Sequence, residues 1–298
     1  MAQLNSSFSH SACCPGEAGS PDLTLRYGQY CGEIKRRCEV PGFFLTETTY
    51  VPRVELPVHK HEQAYICVVL RGSYTEILGG LKRECGAMTV AFHPASEPHS
   101  ERFHTVEVRS FNVEPGPEWL KKARQYTDVL DEGFAFQGGE LARLGVKLYE
   151  EFRQNDRFSP LAIEGLLLEL TAAAARQRKP VAESKVPPWL EQARELLHSA
   201  FADVPTLEKI AATVGIHPVH LAREFRRYYQ CTIGEYIRKV RVEHACLQLT
   251  QTDMTLMDLA LESGFYDQSH FCRSFKRITG MTPAHYREQF GTAQFLSS

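Results

Sequence analysis

The C-terminal third of this chain contains one sequence pattern twice, and this duplication constrains the fold more than any other feature of its 298 residues. The first copy reads IAATVGIHPVHLAREFRRYYQCTIGEYIRK (210–239), and the second reads LALESGFYDQSHFCRSFKRITGMTPAHYRE (259–288). Each copy predicts a helix, a turn at a glycine and a second helix, which together make a helix-turn-helix. The repeat therefore predicts an all-α C-terminal domain with two helix-turn-helix motifs.

Equivalent positions in the two copies have the residue types that this motif needs. Gly215 and Gly264 stand at the turn, where a tight bend demands a positive φ angle. Leu221 and Phe225 lie four residues apart in the second helix of the first copy, so both side chains point inward. Phenylalanines take both positions in the second copy. The two copies thus predict the same packing.

The outward faces of both second helices carry side chains that suit DNA. Gln, Ser and Arg can read base edges in a major groove, and Arg and Lys one turn further along suit phosphates. Because the alanine on the outward face of the first copy offers no hydrogen bond to a base, we expect more base readout from the second copy. The predicted DNA-binding residues are Val219, Ala222, Arg223, Arg226, Arg227, Gln268, Ser269, Cys272, Arg273, Lys276 and Arg277.

The segment 232–252 joins the two motifs and predicts a helix that acts as a spacer. A helix of about 20 residues spans roughly 30 Å, and successive major grooves on one face of DNA lie roughly 34 Å apart. We therefore expect the two recognition helices to read two successive grooves. The net charge of −2 does not by itself indicate nucleic-acid binding. Positive residues are nevertheless concentrated in both motifs, and a local concentration of charge can attract DNA.

The repeat and the segment between its copies resemble the DNA-binding domain of the AraC/XylS family of bacterial transcription regulators. The resemblance is carried by HLAREF, YIRKVRVEHACLQL and LALESGFYDQSHFCRSFKRITGMTPAHYR, and it covers residues 189–290. It implies a sequence-specific transcription regulator whose partner is a double-stranded DNA operator, with activation as the candidate role and repression left open. It also implies a homodimer, with RNA polymerase as a further candidate partner.

The N-terminal part of the chain has the character of a β domain followed by helices. Residues 23–114 are rich in Val, Phe, Tyr and Thr and are interrupted by Gly and Pro. The stretch AYICVVLRGSYTEILGG (64–80) predicts a strand, a turn at Arg71-Gly72 and a second strand. Such closely spaced strands favour a small barrel or sandwich. From Glu118 onward apolar residues recur three and four apart, which predicts helices.

The predicted fold class is therefore multidomain α and β: an N-terminal cupin-like β-barrel with a helical hairpin, and a C-terminal all-α domain. KPVAESKVPP contains three prolines and lacks apolar periodicity, as is typical of a linker. The predicted segments are a flexible tail (1–20), a sensor barrel (21–116), a helical dimerisation segment (117–178), a linker (179–188), the DNA-binding domain (189–290) and a tail (291–298). Within the DNA-binding domain we expect the first helix-turn-helix at about 206–229, a linker helix at about 234–250 and the second helix-turn-helix at about 255–279.

Three histidines stand out in the predicted barrel. His59 and His61 share one face of the chain at i and i+2, and His99 follows in PASEPH. Three converging imidazoles could hold a divalent transition metal. The arrangement resembles a cupin, the domain that many AraC-type regulators carry ahead of their DNA-binding half. Cupin metal sites usually add a glutamate a few residues after the second histidine, where this chain has Tyr65 and Ile66, and a glycine where it has Ser96. We therefore expect no metal and no cofactor, with a metal on the three histidines as the alternative.

The resemblance implies that the barrel interior binds a small-molecule effector and performs no chemistry, so that the protein is not an enzyme. The alternative is a cupin metalloenzyme that carries an accessory DNA-binding module. The predicted effector-pocket residues are His59, His61, Tyr65, Tyr74, Phe92 and His99, with Phe44 and Phe103 as further aromatic candidates.

Two features argue against a secreted or membrane protein. No apolar run approaches the roughly 20 residues of a membrane span, and the N-terminus lacks the basic start and apolar stretch of a secretory signal. The nine cysteines include no C-x-x-C pair, which fits a reducing compartment better than a disulfide framework or a zinc site. We therefore expect a cytoplasmic protein without a membrane partner.

Overall fold

The computed structural model describes residues 23–177, 186–229 and 231–291. An N-terminal half (23–177) contains all the strands in these ranges, and a C-terminal half (186–291) is helical. The predicted tail at 1–20, most of the predicted linker at 179–188 and most of the tail at 291–298 lie outside the described residues.

The N-terminal half is built from two sheets. The strands are β1 (Leu23–Leu25), β2 (Glu33–Val40), β3 (Phe43–Tyr50), β4 (Glu55–His61), β5 (Tyr65–Arg71), β6 (Ser73–Leu78), β7 (Leu81–Gly86), β8 (Thr89–His93), β9 (His99–Phe103), β10 (Val108–Pro115) and β11 (Phe134–Gln137). One sheet has the order β1-β4-β9-β6-β7, and the other has the order β11-β8-β5-β10-β3-β2. The predicted barrel is thus a pair of sheets with aromatic and histidine side chains between them.

Strand β5 lies inside the six-stranded sheet and is buried on both faces. Its odd-numbered residues, such as Tyr65, pack with the side chains between the two sheets. Its even-numbered residues, such as Val68, pack against helices on the other side of the sheet. Because successive residues of a strand point to opposite faces, this one strand contributes to two separate cores.

The predicted strand–turn–strand unit over 64–80 corresponds to β5 and β6, but the two strands belong to different sheets. The chain crosses between the sheets at Gly72, which has a φ of +76°. A Cβ at this position would lie 2.6 Å from the carbonyl oxygen of Glu107, so only glycine fits the crossing.

Helices α1 (Pro117–Arg124), α2 (Gly139–Gln154) and α3 (Ser159–Gln177) follow the sheets and share a core with the six-stranded one. The segment 117–178 is not entirely helical, because Phe134–Gln137 forms β11 and pairs with β8. No helix in the described ranges is both long and apolar enough to cross a membrane.

The C-terminal half contains both helix-turn-helix motifs. Its helices are α4 (Pro188–Ser199), α5 (Leu207–Thr213), α6 (Pro218–Tyr229), α7 (Ile233–Gln251), α8 (Leu256–Glu262), α9 (Gln268–Thr279) and α10 (Pro283–Phe290). Helices α5 and α6 form the first motif, and α8 and α9 form the second. Threonine caps recur in both copies: Thr206 and Thr255 cap the first helices, and Thr232 and Thr282 cap the helices that follow the recognition helices.

The two copies belong to different hydrophobic cores. Helices α4, α5 and α6 share a separate core around Leu197, Leu221 and Phe225. The core of α7 to α10, around Phe271 and Phe275, is continuous with the outer face of the six-stranded sheet and with α2 and α3. The second copy is therefore packed together with the N-terminal half, whereas the first copy has its own core.

The turn glycines of the two copies differ in their surroundings. Gly215 has a φ of +70°, and a Cβ there would meet nothing within 4 Å. Gly264 has a φ of +78°, and a Cβ there would lie 2.6 Å from the carbonyl oxygen of Ala202. Arg241 of α7 holds that loop in place, since its Nε donates to the carbonyl oxygen of Phe201 at 2.8 Å.

We expect Gly264→Ala to destabilise the protein more than Gly215→Ala. The left-handed conformation costs an alanine about 1–2 kcal/mol at either position, and only Gly264→Ala also forces a backbone carbonyl to move. Urea unfolding followed by circular dichroism measures the two losses. Equal losses would show that the loop at Ala202 moves aside without cost.

Candidate DNA interface and sensor pocket

The residues predicted to contact DNA lie on α6 and α9, and most of them are exposed. On α6 all five predicted residues reach solvent, including Val219, which is 70% exposed. On α9, Gln268 and Cys272 are half-buried, and the remaining four predicted residues are exposed. The side chain of Asp267 accepts a hydrogen bond from the backbone N–H of His270 at 2.6 Å and starts α9 just before its reading face.

The positive side chains of α6 are partly neutralised within the helix. The guanidinium of Arg223 donates to Oε1 of Glu224 at 3.1 Å, and that of Arg227 donates to Oε2 of the same carboxylate at 3.3 Å. The Arg223 guanidinium also lies 2.9 Å from Nδ1 of His220. Two arginines predicted to contact DNA therefore already have an anionic partner.

Helix α9 has no such counter-charge. Ser274 stands where α6 has Glu224, and the sequence of α9 contains no acidic residue. Arg273, Lys276 and Arg277 make no salt bridge to any residue in the described ranges. The positive face of the second copy is thus fully available to a phosphate backbone.

The second candidate site is the histidine cluster, formed by His59, His61 and His99. Strand β4 supplies the first two and β9 supplies the third, and these strands pair with His59 opposite His99. All three side chains are buried. One ring nitrogen of each lies within 4.8 Å of the others, so the fold brings together three histidines that the sequence singles out.

Local hydrogen bonds fix the orientation of two of these rings. Nδ1 of His59 lies 2.9 Å from the carbonyl oxygen of Pro57, and Nδ1 of His99 lies 3.2 Å from that of Glu97. A carbonyl only accepts, so each Nδ1 donates and each Nε2 keeps its lone pair. Burial, together with the neighbouring histidines, lowers the pKa of His61 to about 2 and that of His99 to about 3. The cluster is therefore neutral at physiological pH.

Tyr65 occupies the position where a cupin usually has a metal-binding carboxylate. Its hydroxyl lies 3.3 Å from Nε2 of His99, and its ring stacks on His93 with centroids 4.2 Å apart. Burial raises the pKa of Tyr65 well above its usual value. The tyrosine is thus a neutral hydrogen-bonding group beside the cluster.

The sequence predictions did not include the buried ionic group next to the cluster. Nε2 of His93 lies 2.6 Å from Oε1 of Glu76, and Arg83 forms a salt bridge with the other oxygen of that carboxylate. Burial alone would raise the pKa of Glu76, but His93 and Arg83 together hold it well below its usual range. Glu76 is two residues from Tyr74 along β6, so the alternation of that strand is the signal that could have identified it.

The aromatic residues predicted to line the effector pocket do not all lie between the two sheets. Tyr74 and Phe103 are buried in the core between the sheets, with ring centroids 5.3 Å apart. Phe92 is not in this pocket: it packs against Phe134 on the helix side of the six-stranded sheet. The prediction for Phe92 is wrong. Successive residues of β8 point to opposite faces, and Ala91 faces the core between the sheets, so Phe92 faces the helices. Phe44 is half-buried against Tyr27.

The histidine cluster has the donors that a divalent transition metal requires. Its imidazoles are neutral, and two Nε2 atoms carry lone pairs set by backbone contacts, an arrangement common around metal-binding histidines. Glu76, His93 and His99 form a second buried group of donors within 4.8 Å of one another. The chain lacks the carboxylate that cupin metal sites usually add, but the three histidines alone match a three-ligand zinc site.

Comparisons with known proteins agree on the C-terminal half. A family model described as a helix-turn-helix domain matches residues 210–289. The chain is 42% identical over 82 residues to a probable transcription factor, PqrA, of Proteus vulgaris. The matched region covers 28% of this chain and 67% of that protein. It is 26% identical over 258 residues to the transcriptional activator RhaR of Yersinia pestis bv. Antiqua (strain Angola), which is 82% of this chain and 88% of that protein.

Among solved structures, the chain resembles ToxT from Vibrio cholerae O395. The two share 10% sequence identity with a TM-score of 0.39, over 84% of this chain and 99% of that one.

The alternative in which the three histidines hold a metal predicts that the cluster binds Co²⁺ when the ion is added to the purified protein. A bound ion stabilises the folded state by about 2.7 kcal/mol at a hundred times its Kd, so the melting temperature should rise. His99→Gln should abolish the shift and the visible absorption of the bound ion, whereas His285→Gln, at an exposed histidine of α10, should leave both unchanged. Failure of wild-type protein to respond would leave the cluster with a hydrogen-bonding role only.

Proposed function

Because the chain belongs to the AraC/XylS family of transcription regulators, we propose that it binds specific DNA sites with α6 and α9 in successive major grooves. The observation that carries this proposal is the exposed, arginine-bearing face of both recognition helices. Helix α7 between the two motifs has 19 residues and is about 28 Å long. That length supports a spacing close to one turn of DNA.

The two copies differ in what they offer to DNA. On α9, Gln268, Ser269 and Arg273 offer hydrogen bonds to base edges, and the lysine and arginine that follow offer unpaired positive charge. On α6, Val219 and Ala222 offer only apolar contact, and Glu224 holds two of the arginines. The proposal therefore assigns most of the base readout to α9.

The buried polar and aromatic side chains between the two sheets support the proposal that a small molecule binds there and modulates the DNA-binding activity. These side chains combine neutral imidazoles with tyrosine hydroxyls and aromatic rings, which suits an uncharged polar ligand. His59, His61 and His99 would hold a metal, which would supply a coordination position for an oxygen of that ligand. The named relatives are transcription factors, and this supports a regulator that is not an enzyme. The relative RhaR is described as a transcriptional activator, which supports an activating role, and we propose RNA polymerase as a partner and the cytoplasm as the location.

The exposed face of α3 supports a homodimer. Leu161 is 76% exposed and Leu168 is 40% exposed. Together with Gly165 and Ala172 they form a stripe at intervals of four, three and four residues along one side of the helix. This spacing is the a/d pattern of two helices packed side by side. A second copy of α3 would cover both leucines.

The DNA-binding proposal predicts that Arg273→Ala weakens specific binding more than Arg223→Ala does. Losing a base-contacting arginine costs about 1–3 kcal/mol, whereas Arg223 is already engaged by Glu224. Lys276→Ala should remove one phosphate contact and so reduce the slope of log K against log salt concentration by about 1. Genomic DNA fragments that the protein binds are recovered first, and footprinting of the tightest fragment locates the binding site. Titration of that site at several salt concentrations then measures the affinity and the salt dependence for each variant.

The matched control for this experiment is Arg157→Ala. Arg157 is an exposed arginine between α2 and α3 and stacks on Phe158. Two protected patches about one helical turn apart are expected for wild-type protein. A single patch, or equal weakening by Arg157→Ala and Arg273→Ala, would contradict readout by two recognition helices.

The dimer proposal predicts that Leu161→Lys and Leu168→Lys each raise the dimer dissociation constant at least about tenfold. Burying a leucine stabilises an interface by about 1.5–3 kcal/mol, and 1.4 kcal/mol is a tenfold change in affinity. Sedimentation velocity over a concentration series measures the constant. Leu261→Lys, at a leucine of α8 that is 57% exposed, is the control and should leave the dimer intact. A wild-type protein that stays monomeric, or equal loss with Leu261→Lys, would contradict the α3 interface.

A further inference from the structure

We propose that the second helix-turn-helix and the six-stranded sheet form one cooperative unit docked through β5, so that changes in the core between the two sheets reach α9 by direct contact. This inference builds on the proposed function for its biological meaning, but its physical claim concerns the folded chain alone. The predicted linker at 179–188 would then not be the route by which the two halves communicate.

The first support is the continuity of the apolar core. The helix-facing side of β5, represented by Val68, packs in the same core as Leu249 of α7, Phe275 of α9 and Phe290 of α10. Each of these four side chains is at most 1% exposed. Separating the two halves would expose this surface to water, and burial of such side chains contributes about 1.5–3 kcal/mol each.

The second support is a buried hydrogen bond between the halves. The hydroxyl of Tyr286 in α10 donates to the backbone carbonyl oxygen of Leu70 in β5 at 2.6 Å. Both residues are fully buried. A buried polar group that loses its partner is strongly disfavoured, so this contact fixes the position of α10 on the strand.

A third contact lies at another edge of the interface. Gln137 of β11 donates through Nε2 to the carboxyl group of Glu243 in α7. Burial raises the pKa of Glu243 to about 8; Lys239 opposes this shift and Glu84 adds to it. The raised pKa favours the neutral form of this carboxyl group, which lowers the cost of placing it at the interface.

Close approach of α2 and α9 adds to the same interface. A Cβ on Gly138, just before α2, would lie 3.0 Å from a methyl carbon of Ile278. A Cβ on Gly280, at the end of α9, would lie 3.4 Å from the Cα of Arg143. Glycines at both points allow the end of the recognition helix to touch the start of α2.

The duplicated motif provides an internal comparison. Tyr236 is the equivalent of Tyr286 in the first copy, four residues after the capping Thr232 as Tyr286 is after Thr282. Tyr236 packs with Phe225 and Tyr229 in the separate core of α4 to α6. Only the second copy uses this tyrosine to contact the sheet, so the docking is a property of that copy and not of the motif.

Docking leaves the reading face of α9 free, since Ser269 and Arg273 stay exposed. The contact therefore sets the direction of α9 without covering it. Tyr65, Cys67 and Val69 of β5 face the core between the two sheets, and the alternate residues of the same strand face the core of the second copy. A ligand that moves β5 thus re-aims α9 by direct contact, whereas α6 packs in the core that it shares with α4, α5 and the start of α7.

Hydrogen–deuterium exchange of the full-length chain, read by mass spectrometry without DNA or ligand, tests the inference. The variant Tyr286→Phe combined with Gln137→Ala removes both polar contacts. We expect amide exchange in β5, the start of α2, α9 and α10 to accelerate together, by about 5- to 30-fold. Exchange in α5 and α6 should stay unchanged.

Tyr236→Phe is the matched control and should leave exchange in β5 unchanged. Acceleration confined to α7–α10 would show that the second copy merely rests on the sheet, and it would overturn the inference. So would an unchanged pattern, or acceleration of β5 by Tyr236→Phe. Because the readout needs no DNA, loss of the proposed function in a footprinting experiment would leave this result intact, and the reverse also holds.

Discussion

The burial of both faces of β5 is the constraint on which the rest of the structure depends. A strand inside a six-stranded sheet with apolar side chains on both sides can expose neither face to water. One face is covered by the five-stranded sheet, which encloses the histidine cluster, and the other is covered by helices that include the second helix-turn-helix. The thickness of a single sheet therefore separates the candidate ligand site from a DNA-reading element.

The helical half is the part of the molecule that local sequence signals predict well. The segment expected to join the two motifs, at about 234–250, lies in α7, which spans Ile233–Gln251. Helix starts are set by side chains such as Thr232, and turns are set by glycines such as Gly264. These signals act within a few residues, and the duplication presents them twice, so that each copy supports the interpretation of the other.

The N-terminal half depends on contacts that no local pattern reveals. Strand β8 is buried along its whole length and has apolar residues on both faces, so alternation does not tell which side faces the core between the sheets, and Phe92 lies on the side opposite to the one predicted. Strand β11 is short and joins its sheet only through β8. Glu76 and His93 come from different strands, and their pairing depends on how the two sheets face each other. The histidine cluster was predictable because its residue types are rare in a core.

The shared core of the second copy and the six-stranded sheet has a consequence for how such proteins can be cut and recombined. A chain of this kind is usually treated as two modules joined by a linker, which could be expressed separately or exchanged between relatives. Here, a fragment that begins after the linker would carry a large apolar patch left by the missing sheet, and such patches promote aggregation. A sensor domain from another regulator would have to reproduce the surface of β5 and α2, so the unit that can be exchanged is the first helix-turn-helix, not the DNA-binding domain as a whole.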